Sequence, residues 1–344
     1  MNQPNNPTLY PIIFEPVLKS AIWGGSNLEK FGRAIPPEGV AESWEIAAHP
    51  NGSSIVANGA HTGKNLAELT NELGVALIGS NAAWAVERGK FPLLVKLLDA
   101  NRSLSVQVHP KDSYALAHEG NELGKTEMWV VLDAKPGAQI ILGVKHGTTP
   151  GQFRAGIEQG YLEPYLHYLD VKAGDHVCVP SGSLHAILDG IVIAEIQQNS
   201  DTTYRVYDWN RVDSHGNARE LHIDKAMDVI NFEQVEPSLP TAQIKQHQPG
   251  IQSTVLCENE YFCTERLQVT AGSKISGTCD GSSLEVWGVI EGSININSLD
   301  LSAVSFCLLP AALGAYELIA KTNATLLRTT IPATVDANSS CCKE

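Results

Sequence analysis

The pattern that most constrains this chain is a succession of short apolar runs, each cut off by Gly, Pro, Asn or Asp. Phe91-Pro-Leu-Leu-Val-Lys-Leu-Leu, Leu104-Ser-Val-Gln-Val-His, Met128-Trp-Val-Val-Leu, Gln139-Ile-Ile-Leu-Gly, Asp175-His-Val-Cys-Val-Pro and Gly190-Ile-Val-Ile-Ala-Glu-Ile all have strand length. Further runs follow at Tyr261-Phe-Cys-Thr-Glu-Arg-Leu, Ser283-Leu-Glu-Val-Trp-Gly-Val-Ile and Phe306-Cys-Leu-Leu-Pro. Strands at this spacing favour a closed barrel or sandwich over alternating βαβ units. The expected class is therefore all-β with a few short helices.

Helical spacing is confined to three places. Asn65 can cap a helix through Leu73, with Leu66, Leu69 and Leu73 on one face. Asp112 can start another to about Glu119, and residues 222 to 232 carry Ile223, Ala226, Met227 and Ile230 at helical intervals. Residues 235 to 250, rich in Pro and Gln, read as a linker. The end of the chain, from about residue 335, has no apolar pattern and is expected to be disordered.

With 344 residues the chain suffices for one large domain or two ordinary ones. A net charge of −14 argues against nucleic acid and against anionic membranes. The polar start Met1-Asn-Gln-Pro-Asn-Asn-Pro is no signal peptide, and no apolar run approaches membrane-spanning length. Seven cysteines without a CxxC pattern suggest neither a disulfide framework nor a thiolate zinc site, so a reduced, cytoplasmic location is expected. No P-loop or dinucleotide fingerprint is present, so neither ATP nor NAD is implied.

Four donors stand out. Gln107 and His109, two apart in a strand, project to one face, while Val106 and Val108 take the other. Glu127 opens an apolar strand, where a carboxylate is costly to bury unless it is paired or metal-bound. His185 follows a tight reversal fixed by Pro180 and Gly182. Most of the 11 histidines need only titrate or hydrogen-bond, so the weight lies in the co-occurrence. Two imidazoles, one carboxylate and one amide oxygen suit zinc with a position left open; iron, manganese, cobalt and nickel are also allowed by ligand type. His118-Glu119 lacks the second His of an HExxH motif and reads as a solvated helix end.

The turn from Gly174 to His185 matches G-x5-P-x-G-x2-H, and so resembles the second cupin motif. Leu104-Ser-Val-Gln-Val-His-Pro110, with Glu127 much later, resembles the variant first motif of type I mannose-6-phosphate isomerases. Glu195-Ile-Gln-Gln-Asn-Ser-Asp-Thr-Thr-Tyr-Arg205-Val-Tyr-Asp-Trp is similar to the family's segment at its active-site arginine. Phe14-Glu-Pro, Trp23-Gly-Gly and Glu42-Ser-Trp-Glu-Ile look like its short bacterial branch. Lys125-Thr-Glu127 stands where many members have Lys-Pro-Glu.

The resemblance, over residues 9 to 332, implies two cupin (jelly-roll) barrels. A catalytic metal-binding domain would span 1–240, a degenerate cupin-like domain 241–334, and a disordered tail 335–344. It implies one zinc per chain on Gln107, His109, Glu127 and His185, with Gln107 the least secure, and Arg205 as catalytic arginine. Tyr316 takes the approximate place of a metal histidine in the second barrel, which is expected to be structural. The implied reaction interconverts mannose 6-phosphate and fructose 6-phosphate through a cis-enediolate, with Glu195 or Lys125 as candidate base. Lys96 and Ser103 are candidates for phosphate contact, though Lys96 can equally be a strand-edge charge. The expected partner is a small sugar phosphate, and the chain a monomer or weak homodimer. Alternatives are isomerisation of another aldose phosphate, a cupin dioxygenase, and a non-catalytic sugar-binding cupin.

Overall fold

A computed structural model describes residues 9–212 and 215–333. The expected tail at 335–344 lies outside the described residues. The protein is mostly β with few helices, and it divides into two compact units. One comprises Val17–Glu45 and Leu93–Thr241; the other comprises Met1–Pro16, Ile46–Pro92 and Ala242–Glu344. The division is thus discontinuous, where the sequence suggested a single boundary near residue 240.

The first unit consists of β1 (Val17–Lys19), β2 (Glu42–Ile46), β3 (Leu93–Ala100), β4 (Val106–Val108), β5 (Glu127–Ala134), β6 (Gln139–Val144), β7 (Leu166–Asp170), β8 (His176–Val179), β9 (His185–Ile187), β10 (Ile191–Gln198) and β11 (Tyr204–Tyr207). They form a six-stranded sheet, β8-β5-β10-β3-β2-β1, and a five-stranded sheet, β7-β6-β9-β4-β11; the ladders β8-β5, β5-β10, β10-β3 and β2-β1 of the first and all those of the second are antiparallel. Leu98, Trp129, Val131 and Ile193 from the first sheet share a core with Ile140, Leu142 and Ile187 from the second. On the five-stranded sheet the alternate residues, among them Val106, Val108 and Ala186, pack with Phe153 and Ile157 of helix Pro150–Glu158 and with Ala226. That helix has a Thr149/Gln152 capping box and Pro at its first turn, signals in the sequence that the apolar pattern alone did not reveal.

The second unit has β12 (Gln243–Gln248), β13 (Ile251–Glu258), β14 (Cys263–Val269), β15 (Lys274–Cys279), β16 (Glu285–Glu291), β17 (Ser293–Ile296), β18 (Leu299–Ser302), β19 (Ser305–Leu309), β20 (Gly314–Ala320) and β21 (Ala324–Thr330). Their sheets run β12-β13-β14-β21-β16-β19 and β15-β20-β17-β18. Trp287, Val289 and Leu326 share a core with Ile294, Tyr316 and Leu318.

Two expectations need correcting. The supposed linker at 235–250 contains β12, a sheet edge whose six residues are all exposed. With neither face buried it has no apolar alternation to read, and its Lys and Gln side chains suit an unpaired edge. The cysteines are not all reduced: Cys178 and Cys257 each take part in a disulfide, while Cys263, Cys279 and Cys307 are free.

Helix Leu66–Leu73 forms as expected from Asn65, and the helix expected over 222–232 is shorter, Ile223–Val229. The Asn65 Oδ1 accepts from the Glu68 N–H at 2.8 Å, and the Asn65 N–H donates to Glu68 Oε2 at 3.2 Å. Asn65→Ala should lower stability by about 1 kcal/mol, read as a shifted urea midpoint with an unchanged slope.

Candidate metal centre and active site

Strand alternation builds the site within the first unit. Across β3, β10 and β5 one ladder row holds Lys96, Glu195 and Trp129, and the row two residues along holds Leu98, Ile193 and Val131. The inner face is therefore apolar along most of its length and polar at one end. There it meets Gln107 and His185, which pair across β4 and β9. The turn before His185 needs Gly182, at φ +89°, because a Cβ would approach the Val229 carbonyl oxygen to 2.9 Å. The Gly182 N–H also donates to the His109 carbonyl at 2.8 Å, tying the two histidine segments together.

His109, Glu127 and His185 are each 1% exposed, and their donor atoms lie within 4.8 Å of one another. His109 Nδ1 is 2.9 Å from the Thr202 carbonyl oxygen and His185 Nδ1 is 3.0 Å from that of Ser183. A carbonyl only accepts, so each Nδ1 carries the proton and each neutral ring turns an Nε2 lone pair into the site. Burial, with the charge of Lys125, pushes His109 down to about 3, and burial also lowers His185, so both rings are neutral at pH 7.

His109 Nε2 then faces Glu127 Oε1 at 3.1 Å without a hydrogen bond, and His185 Nε2 faces Oε2 at 3.8 Å. Electron pairs converging in a buried site repel one another unless a cation lies among them. The residues fit a divalent metal on this ground. Gln107 stands at the edge, its amide nitrogen 3.3 Å from His185 Nε2; a flip would bring the amide oxygen to that point.

Glu127 is itself held by Lys125 Nζ at 2.8 Å and by the Trp129 indole N–H at 3.1 Å. Burial is the largest single effect and would raise its carboxyl, but Lys125, His109 and His185 together outweigh it and hold it well below the usual carboxylate range. Glu195 goes the other way: burial, then the Glu127 charge, push it up to about 8 despite Lys96 at 3.4 Å. Lys96 is opposed by burial but carried upward by Glu195 and Glu42, whose Oε2 lies 3.2 Å away, and it stays charged.

These groups line a cavity of about 280 Å³, at the small end for a ligand pocket. Lys96, Gln107, Lys125, Glu127, His185, Glu195 and Arg205 all face it. Arg205 Nε donates to the Ser105 hydroxyl at 3.3 Å and Nη1 to the Glu220 carbonyl at 2.8 Å. Ser103 is not among the lining residues; its carbonyl accepts from Arg211 Nη1 at 2.6 Å, and its chain neighbours Leu104 and Ser105 reach the cavity instead. Glu119 is not a free helix end either: it accepts from the Tyr204 hydroxyl and from Lys225.

Sequence reasoning missed the roles of Glu42 and Arg219. Glu42 is fixed by the Trp44 indole N–H at 2.7 Å, a same-face i, i+2 pair legible in Glu42-Ser-Trp44. Arg219 makes a double hydrogen bond to Asp208, at 2.8 and 2.6 Å, and no local pattern announces it.

A crystal structure of the mannose 6-phosphate isomerase from Bacillus subtilis superposes with a TM-score of 0.83 at 37% identity, covering 93% of this chain and 99% of that one. A family model of the type I phosphomannose isomerase catalytic domain matches residues 12–128. Fold and site thus define a β-rich isomerase with a candidate His-Glu-His metal centre. The probable mannose-6-phosphate isomerase GmuF of Bacillus subtilis (strain 168) is 40% identical over 318 residues, 90% of this chain and 96% of the relative. The mannose-6-phosphate isomerase ManA of the same strain is 43% identical over 270 residues, 78% of this chain and 82% of the relative. The chain belongs to the type I mannose-6-phosphate isomerase family.

Trp129→Phe keeps apolar bulk but removes the indole donor that orients Glu127. A divalent ion should then bind the stripped protein about 10-fold more weakly in competition with a fluorescent chelator. Unchanged affinity would show that the indole does not orient this carboxylate.

Proposed function

We propose that this enzyme interconverts mannose 6-phosphate and fructose 6-phosphate, with one zinc ion per chain held by His109, Glu127 and His185 and with Gln107 at the edge of the set. Two neutral imidazoles and one carboxylate are a borderline donor set that suits zinc and leaves a position open. A single carboxylate keeps the bound dication net positive. When bound, zinc supplies Lewis acidity to the sugar oxygens and favours the negative charge that develops during proton transfer. The observation that carries the reading is the convergence of the two unprotonated Nε2 atoms on Glu127, with Glu127 and His185 lining one cavity beside Glu195 and Arg205.

The chain's own groups divide the work. Glu195, with its carboxyl pushed up to about 8, is a stronger base than a free carboxylate and accepts the C2 proton of the aldose. It returns that proton to C1 of the cis-enediolate to give the ketose, and the reverse sequence runs the same route. Lys125, hydrogen-bonded to Glu127, moves the proton between the two sugar oxygens. Arg205, always protonated, stabilises the enediolate oxygens. Phosphate recognition falls to Arg219, held rigid by Asp208, and to Lys96, whose ammonium has three donors and only two carboxylate partners. We further assign the first unit to the metal-binding cupin barrel class and the second to a degenerate cupin.

A coupled assay tests the reading: mannose 6-phosphate is supplied, fructose 6-phosphate is followed, and metal is stripped and zinc restored. Stripping should abolish turnover and zinc should recover it, and glucose 6-phosphate should turn over far more slowly. Absence of turnover by the zinc-loaded protein would overturn the assignment. Glu195→Gln should lower kcat by about 100-fold or more with metal content unchanged. If Glu127→Ala and His185→Ala retain full, chelator-sensitive activity, the ligand set is wrong.

A further inference from the structure

The two units share one strand plan. The sheet order β8-β5-β10-β3-β2-β1 in the first is repeated as β19-β16-β21-β14-β13-β12 in the second. Likewise β7-β6-β9-β4 is repeated as β18-β17-β20-β15. The register carries the correspondence to single residues. Glu127 opens β5 opposite Gln197 and Val179, and Glu285 opens β16 opposite Thr330 and Leu309. His185 pairs with Gln107, and Tyr316 pairs with Gly277. His109 lies two residues beyond Gln107, and Cys279 two beyond Gly277. The four candidate ligand positions of the first unit thus become Gly277, Cys279, Glu285 and Tyr316 in the second.

Local contacts repeat as well. The Trp287 indole donates to Glu285 Oε2 at 2.9 Å, as Trp129 does to Glu127. Trp287 meets Tyr316 edge-on at 72°, as Trp129 meets His185 at 70°. What differs is the charge. Arg328 takes the ladder position of Glu195, opposite Trp287, and Glu265 takes that of Lys96. Arg328 donates to both Glu285 oxygens, Nε to Oε2 at 2.9 Å and Nη2 to Oε1 at 2.6 Å, and the Tyr316 hydroxyl donates to Oε2 at 2.8 Å.

We propose that the second unit contains a charge-inverted copy of the metal centre in which the Arg328 guanidinium serves as a built-in cation. A buried carboxylate at the Glu285 position must be neutralised. The first unit meets the equivalent demand with Lys125 at one carboxylate oxygen and with His109 and His185 donors that suit an external dication. The second meets it with a fork that delivers two charge-assisted hydrogen bonds to the same carboxylate. Tyr316 replaces an imidazole with a hydroxyl donor, and its ring leaves no room for a ligand side chain opposite: a Cβ at Gly277 would lie 2.3 Å from it. The second unit is therefore independent of metal, whichever sugar the first unit turns over.

The test restores the donors. In the full chain, Arg328→Ala with Tyr316→His leaves Cys279, Glu285 and a new imidazole in the frame. This variant should bind one more equivalent of cobalt(II) than the parent. The extra ion should show a thiolate-to-cobalt absorption band, which the other site lacks sulfur to produce, and Cys279→Ser should remove it. A folded, active variant with no extra cobalt and no band overturns the proposal. If that variant does not fold, Arg328→Met is compared with Arg328→Met/Glu285→Gln. The single change should lower the melting temperature by roughly 10 °C and the double should recover most of it, since the carboxylate then needs no cation. Equal or additive losses overturn the proposal.

Discussion

The buried carboxylate of Glu127 is the constraint around which the first unit is organised. A charge that is 1% exposed cannot be left to solvent, so every neighbour answers it. Lys125 and the Trp129 indole hold it in place, and two imidazoles are pinned by their Nδ1 protons so that their lone pairs face the same point. The facing electron pairs of the imidazoles and the carboxylate repel one another, which makes the cluster a candidate cation site. After burial, the charge on Glu127 is the next effect that pushes the Glu195 carboxyl up, so the metal-ligand candidate and the acid–base candidate are electrostatically one system.

Period-two alternation divides the inner face of the six-stranded sheet between stability and chemistry. Rows such as Leu98-Ile193-Val131 join the core between the sheets, and the adjoining row Lys96-Glu195-Trp129 reaches the cavity. Moving any one of these strands by one residue would turn its own member of the row away from the cavity. The site therefore inherits its precision from the ladders and from the tight turn at Gly182. The second unit shows the same frame with a different solution to the same buried charge.

The chain carries −14 overall, yet Lys96, Lys125, Arg205 and Arg219 all line the one cavity. Concentrating cations against the global field costs solvation, and the site offsets it pairwise, with Glu42 and Glu195 for Lys96, Glu127 for Lys125 and Asp208 for Arg219. A doubly charged ligand entering such a cavity meets oriented donors without further rearrangement.

Much of this was legible in the chain itself. Strand positions followed from apolar runs between turn residues, and Gln107, His109, Glu127 and His185 followed from strand parity and the Gly-Pro-Gly turn, because these are short-range rules that a few residues obey on their own. Helix Pro150–Glu158 escaped because its signal lies in its cap rather than its face, and β12 escaped because an exposed edge has no buried side to pattern. Lys96 was ambiguous in sequence, and only β10 and β2, folded beside it, decided that it faces Glu195 and Glu42. Arg219 and Arg328 were invisible for the same reason. Their partners lie 11 and 43 residues away, and which distant charge faces which is decided by ladder register and loop closure. Local sequence determined the elements and the donor types; tertiary structure alone decided which charges meet, because a Coulomb pair depends on distance in space and not along the chain.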